Sequence, residues 1–66
     1  MLIAEICWQT GKQIPTNSYF KKTLEIIGSY IRIDSVEAES WVAREEAKIR
    51  QEYGNDITKL TIHRYF

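Results

Sequence analysis

The sequence predicts a small α+β fold in which one amphipathic helix covers one face of a three-stranded sheet, in the order β-β-α-β. Strand-like alternation at both ends of the chain and a clear helical pattern between them indicate this class. The chain has 66 residues, and a domain of this size buries only about 60% of the surface that its unfolded chain exposes. We therefore expect a single α+β domain over residues 1–66 with a small core.

The first strand is predicted at LIAEICWQ, where side chains alternate with a period of two. The residues expected to face the core are Leu2, Ala4, Ile6 and Trp8. The next stretch, TGKQIPTNS, is rich in glycine, proline, asparagine and serine, which favour turns. It is predicted to be a loop.

The segment that follows, YFKKTLEIIGSYIRID, supports two interpretations. Its apolar residues recur at helical spacing, which would give the order β-α-β-α-β if residues 18–28 were helical. Two lysines near its start, several β-branched residues and an internal glycine oppose a helix. A strand requires a β-bulge at Gly28 and Ser29. The residues that this bulge would keep on one face are Leu24, Ile26, Ile31 and Ile33. We favour the strand.

The clearest element is a helix of about five turns over SVEAESWVAREEAKIRQEY. Asp34 with Glu37 can form an Asp version of the capping box, or Ser35 can cap the next register. Gly54 is expected to end the helix in a left-handed conformation. The residues predicted on its apolar face are Ala38, Val42, Ile49 and Tyr53, with Trp41 on the flank. Those predicted to pair on the exposed face are Glu46 with Arg50 and Lys48 with Glu52.

The closing segment ITKLTIHRYF alternates again and is predicted to be the third strand. Leu60, Ile62 and Phe66 would face the helix. A right-handed crossover from the second strand to the third places the most apolar strand, the first, in the centre. The expected strand order is therefore 2-1-3.

The composition excludes several classes of protein. Nine lysines and arginines balance nine aspartates and glutamates, so the chain lacks the strongly basic balance of a dedicated duplex-DNA binder. No apolar run approaches the roughly 20 residues of a transmembrane helix, and we expect no membrane contact. One cysteine cannot form an intrachain disulfide, and with one histidine it falls short of a four-ligand zinc site. We expect a cytoplasmic protein without metal or cofactor.

Three side chains are candidates for chemistry, and each also has a structural explanation. His63 is the one histidine, but no partner in the sequence identifies a proton-transfer role. Cys7 lacks a charged neighbour in the sequence that would activate a thiol, and we interpret it as a small half-buried hydrophobe. Glu45 lies near the apolar stripe of the helix, where either its stem covers apolar surface or its carboxylate meets a basic partner. No catalytic constellation emerges, and we expect a protein that is not an enzyme.

The remaining candidate is the sheet face that the helix leaves open. The side chains expected there are Glu5, Cys7, Gln9, Glu25, Tyr30, Arg32, Lys59, Thr61, His63 and Tyr65. The proposed interaction residues among them are Tyr30, Arg32, Lys59, Thr61, His63 and Tyr65. This face, or an exposed edge strand, predicts protein–protein contacts, either with a second copy or with a larger target, as a regulator, inhibitor or accessory subunit. The alternative is single-stranded nucleic acid, with bases stacked on the tyrosines and phosphates on the basic side chains.

Overall fold

The fold is a three-stranded antiparallel sheet with one helix packed on one face. The computed structural model describes residues 1–12, 17–26 and 33–66. Its elements are β1 (Leu2–Thr10), β2 (Ser18–Glu25), α1 (Ser35–Tyr53), a 3₁₀ helix (Gly54–Asp56) and β3 (Ile57–Arg64). β1 is central and antiparallel to both neighbours, in the order β2-β1-β3. The predicted fold and strand order are confirmed.

The disputed segment is a strand from Ser18 to Glu25, so the helical interpretation was wrong for these residues. Phe20 and Leu24 do share a face, but a spacing of four residues satisfies the strand period as well as the helical one. Both face α1, as their packing against the two core clusters shows. The bulge expected at Gly28 and Ser29 lies outside the described residues.

A bulge does occur, but in β1. Leu2 pairs with Glu25 and Ala4 with Leu24, so Ile3 is an extra residue on its strand. The insertion reverses the alternation at the start of β1: Ile3 is 1% exposed, whereas Leu2 is 37% exposed. The predicted core position of Leu2 was therefore wrong. Beyond the bulge, Ala4, Ile6 and Trp8 face the helix as expected.

Two buried clusters form the core between the sheet and α1. One contains Ile3, Ala4, Ile26, Ala38 and Val42, and the other Ile6, Trp8 and Ile49. The second continues into an aromatic group in which Phe20 stacks on Trp8 at 5.4 Å between ring centroids and meets Tyr53 at 5.0 Å. Trp8 Nε1 is buried without a hydrogen-bond partner among the described residues. The cost of about 1–3 kcal/mol is offset by the apolar and aromatic packing of the same ring.

The helix begins at the predicted cap. The Oδ1 atom of Asp34 accepts a hydrogen bond from the backbone N–H of Glu37 at 2.7 Å, an interaction worth about 1 kcal/mol. The helix ends at Gly54 as predicted, but the predicted left-handed conformation was wrong. Gly54 has φ −1° and ψ −82°, which is not left-handed, because the chain tightens directly into the 3₁₀ helix that leads to β3.

The described part of the chain forms one layer of sheet and one layer of helix. It measures 44 × 16 × 15 Å, so its short axes accommodate a single sheet and a single helix. Among the described residues, the one helix that faces the sheet lies on the side of Ala4, Ile6 and Trp8. The opposite side of the sheet, called the open face below, contains Glu5, Cys7 and Gln9 of β1 with their neighbours in β2 and β3.

Candidate functional site

The open face is organised in three rows of side chains across the sheet. Cross-strand register places Glu5, Cys7 and Gln9 of β1 each between one residue of β2 and one of β3. The rows are Thr23, Glu5 and His63; Lys21, Cys7 and Thr61; and Tyr19, Gln9 and Lys59. Since side chains of paired residues project to the same face of an antiparallel sheet, these nine form one continuous surface.

A cavity of about 410 Å³ lies on this surface. Its lining includes Cys7, Gln9, Tyr19, Lys21, Lys59, Thr61 and His63, with Trp8 and Phe20 also contributing. The cavity thus brings together all three strands and combines aromatic, hydroxyl, amide, thiol and cationic groups. Binding pockets combine a few polar groups with apolar and aromatic side chains in this way.

Of the predicted interaction residues, Lys59, Thr61 and His63 lie together on β3 and line the cavity. Tyr65 follows the end of β3, is 53% exposed, and donates its backbone N–H to the carbonyl oxygen of Ile3 at 2.9 Å. Tyr30 and Arg32 lie outside the described residues. Among the described residues, the predicted surface is therefore supplied by the C-terminal part of the chain.

Two side chains that sequence reasoning missed complete the surface from β2. Tyr19 is 74% exposed and lines the cavity, and Lys21 lies two residues further along the same strand. The signal was present: if Phe20 and Leu24 face the helix, the odd-numbered residues of the strand must face away. The competing helical interpretation of this segment obscured that alternation.

Charge on the open face is partly neutralised within the chain. Lys21 Nζ lies 3.2 Å from Glu5 Oε2, and the hydrogen bond and charge of Glu5 raise the pKa of Lys21. None of the ion pairs among the described residues involves Lys59. In the described rows, the face therefore presents one compensated ion pair, Lys21 with Glu5, and one lysine outside any ion pair, Lys59.

Glu45 has a basic partner, and its role is to join the sheet edge to the helix. One carboxylate oxygen accepts a hydrogen bond from Lys22 Nζ, and the other lies 3.5 Å from Lys48 Nζ. Lys48 thus pairs with Glu45 rather than with Glu52, whereas the predicted pair of Glu46 and Arg50 is confirmed at 2.9 Å. The hydrogen bond from Lys22 is the main cause that lowers the pKa of Glu45.

This lowered pKa predicts a specific loss of stability in acid. Glu45 binds a proton less readily in the folded chain than in the unfolded chain. Its carboxylate therefore contributes to the free energy of unfolding above the ordinary carboxyl pKa of 4.5, and this contribution disappears as the pH falls through the lowered pKa of the folded state. Glu45→Gln should lower the free energy of unfolding by about 0.5–1 kcal/mol at neutral pH. Urea denaturation at neutral pH and at about pH 3 measures the difference.

At the lower pH the difference in free energy of unfolding between Glu45→Gln and the original chain should be smaller than at neutral pH, because protonation of Glu45 weakens its ion pair. Glu52→Gln is the matched control, since Glu52 is exposed and makes no ion pair among the described residues. A deficit for Glu45→Gln that is the same at both pH values would contradict the electrostatic explanation.

The described residues contain no group of three or more histidine, cysteine, aspartate or glutamate side chains that could hold a metal ion. Glu5 and His63 are register partners, but no hydrogen bond among the described residues joins His63 to a carboxylate or to Cys7. The helix of the described part is not long and apolar enough to cross a membrane.

The chain matches no protein-family model, no curated protein and no solved structure.

Proposed function

We propose that this protein is a small binding module, not an enzyme, and that its open face contacts another protein. The observation that supports this most strongly is the cavity on the uncovered side of the sheet, to which all three strands contribute side chains. A regulator, inhibitor or accessory subunit would use such a face, because burying it against a partner would also add apolar contact to a domain with a small core.

The composition of the face favours protein over nucleic acid. Exposed tyrosine is enriched in protein interfaces, and Tyr19 pairs across the strands with Gln9, whose amide it adjoins, one row away from Thr61 on the far strand. Single-stranded nucleic acid would also stack on Tyr19 and Tyr65, but its affinity depends on several uncompensated phosphate contacts. Lys21 is already paired with Glu5, which leaves Lys59 as the unpaired cation of the described rows.

The proposed location is the cytoplasm. Cys7 is unpaired and half-buried on the open face. A reducing compartment keeps such a thiol from forming mixed disulfides across the proposed interface.

The test is photo-crosslinking from the open face in living cells of the natural source. Benzoylphenylalanine placed at position 19 should produce a discrete protein adduct, because the 74% exposed Tyr19 side chain lies on the proposed interface. The matched control carries the same crosslinker at position 36, since Val36 is 80% exposed but lies on α1.

Adducts at position 19 that are absent at position 36 and resist nuclease support the proposal. Nuclease-sensitive adducts would replace it with nucleic-acid binding. Equal adducts at both positions, or none at position 19, would overturn it.

A further inference from the structure

The two edges of the sheet differ in which residues direct their backbone groups outward. The carbonyl oxygen of Ile3 accepts from Tyr65, so it points toward β3. Successive residues of a strand bond to opposite neighbours. It follows that Glu5, Cys7 and Gln9 bond to β3, while Ala4, Ile6 and Trp8 bond to β2.

The outer edge of each flanking strand follows from this alternation and the register. In β3, the residues that pair with Glu5, Cys7 and Gln9 bond to β1; they are His63, Thr61 and Lys59. Leu60 and Ile62 therefore direct their N–H and C=O groups outward. In β2, Phe20 and Lys22 bond to β1, so Tyr19, Lys21 and Thr23 direct theirs outward. No described strand pairs with either edge.

The edge of β2 is protected against pairing with a copy of itself. Lys21 and Lys22 lie in its middle, and their side chains remain 59% and 45% exposed despite their ion pairs. A twofold axis near the middle of β2 would place these lysines beside the same lysines of a second copy. Like charges at directly opposed positions destabilise a strand pair, and edge lysines are a common device against unwanted pairing.

The edge of β3 has the opposite character. Its centre, Leu60-Thr61-Ile62, carries no charge, and Leu60 and Ile62 pack against the core while remaining only partly buried. The charged residue beyond them, Arg64, is held by two hydrogen bonds of 2.8 Å to Glu39 of α1. Backbone donors and acceptors are thus presented at the edge beside partly covered apolar side chains.

We propose that two copies of this chain associate through antiparallel pairing of their β3 edges, about a twofold axis at Thr61. In this register Leu60 of each copy forms a hydrogen-bonded pair with Ile62 of the other, since all four residues direct their backbone groups outward. The two threonines meet across the axis, a favourable cross-strand pair, and the apolar side chains form one stripe on the helix-covered side.

The result is a continuous six-stranded sheet with both helices on one side and both open faces on the other. Lys59 of each copy would lie opposite His63 of the other, near Glu5, which is the β1 register partner of His63. This inference goes beyond the proposed function, because it uses the edge of β3 and leaves the open face available to another partner.

Amide hydrogen exchange by NMR tests the pairing without any substitution. Spectra are recorded at about 20 μM and about 1 mM, a range that spans weak association. The amides of Leu60 and Ile62 should exchange at least about fivefold more slowly at the higher concentration, while those of Tyr19, Lys21 and Thr23 should not change. Rates that are independent of concentration, or slowing confined to β2, would overturn the proposal.

Backbone N-methylation of the synthetic chain at Ile62 provides a matched variant, because that N–H makes no bond within the sheet of one copy. It should abolish association, measured by sedimentation, with an unchanged circular dichroism spectrum. N-methylation at Lys21, the equivalent outward position on β2, should leave association intact. Loss of association in both variants, or in neither variant, would contradict pairing through β3. These outcomes are independent of the crosslinking test at position 19, which concerns the open face.

Discussion

Replacing Ile3 with alanine should lower the free energy of unfolding by about 2–5 kcal/mol, whereas Leu2→Ala should cost less than about 1 kcal/mol. The bulge buries Ile3 in the cluster formed with Ala4, Ile26, Ala38 and Val42, and leaves Leu2 at the surface. A chain of 66 residues has a total stability of only about 3–10 kcal/mol. The expected loss from Ile3→Ala is therefore a large fraction of the total stability of the chain.

Urea denaturation of both variants measures the contrast. Leu2→Ala is a matched control because it truncates a neighbouring aliphatic side chain of the same strand. Uninterrupted alternation from residue 2 predicts the reverse order of effects, with Leu2 buried and Ile3 exposed. Equal losses, or a larger loss for Leu2→Ala, would show that β1 has no bulge at Ile3.

Phe20→Ala should be the second severe change, with a loss of about 2–4 kcal/mol. Its ring packs between Trp8 and Tyr53, so truncation leaves a cavity in the aromatic group that closes one end of the core. Tyr19→Ala removes the adjacent ring, which is 74% exposed on the other side of the strand, and should change stability by less than about 0.5 kcal/mol.

Circular dichroism during thermal and urea unfolding measures both Phe20→Ala and Tyr19→Ala. Similar losses of stability for the two variants would mean that Phe20 and Tyr19 are not on opposite faces of β2. That result would contradict the assignment of Tyr19 to the open face. Preserved stability of Tyr19→Ala would also establish that this position can be altered without disturbing the fold.

Much of the architecture could be predicted because each element carries an unambiguous local signal. The helix has a side-chain cap at Asp34 and an apolar stripe through Ala38, Val42 and Ile49, and both features are present as expected. The strand order followed from chain connectivity and from the apolar character of β1. Such signals are local in sequence, and one chain suffices to recognise them.

The details that could not be predicted depend on neighbours distant in the chain. The bulge at Ile3 arises from pairing with Leu24 and Glu25, which alternation within LIAEICWQ cannot reveal. Gly54 tightens into a 3₁₀ helix because β3 begins only three residues later. A helical stripe and a strand face both contain residues four apart, so the segment with Phe20 and Leu24 satisfied both patterns.

On the open face too, some residues could be predicted from local sequence and others depended on distant neighbours. Lys59, Thr61 and His63 could be placed because β3 alternates clearly, and they do lie together. Tyr19 and Lys21 were missed because the sequence of β2 alone did not establish which of its residues face the helix. The ion pair between Lys21 and Glu5 depends on cross-strand register, which becomes visible only in the folded sheet.

The most direct test of the open face as an interaction surface is the alkylation rate of Cys7, which lies in the middle row of the central strand. In the purified protein, a small maleimide should modify this half-buried thiol in the native state. In fresh extract of the natural source cells, a bound partner should slow modification by about tenfold or more. A Cys7→Ser chain with Val36→Cys on α1 provides the control, whose rate should be the same in both settings.

Slowing at Cys7 that is absent at the control position is the result we predict. Equal rates for Cys7 in purified protein and extract would mean that the face is unoccupied, and a Cys7 that does not react in purified protein would mean that it is not open. Either result would contradict a role for this surface in binding.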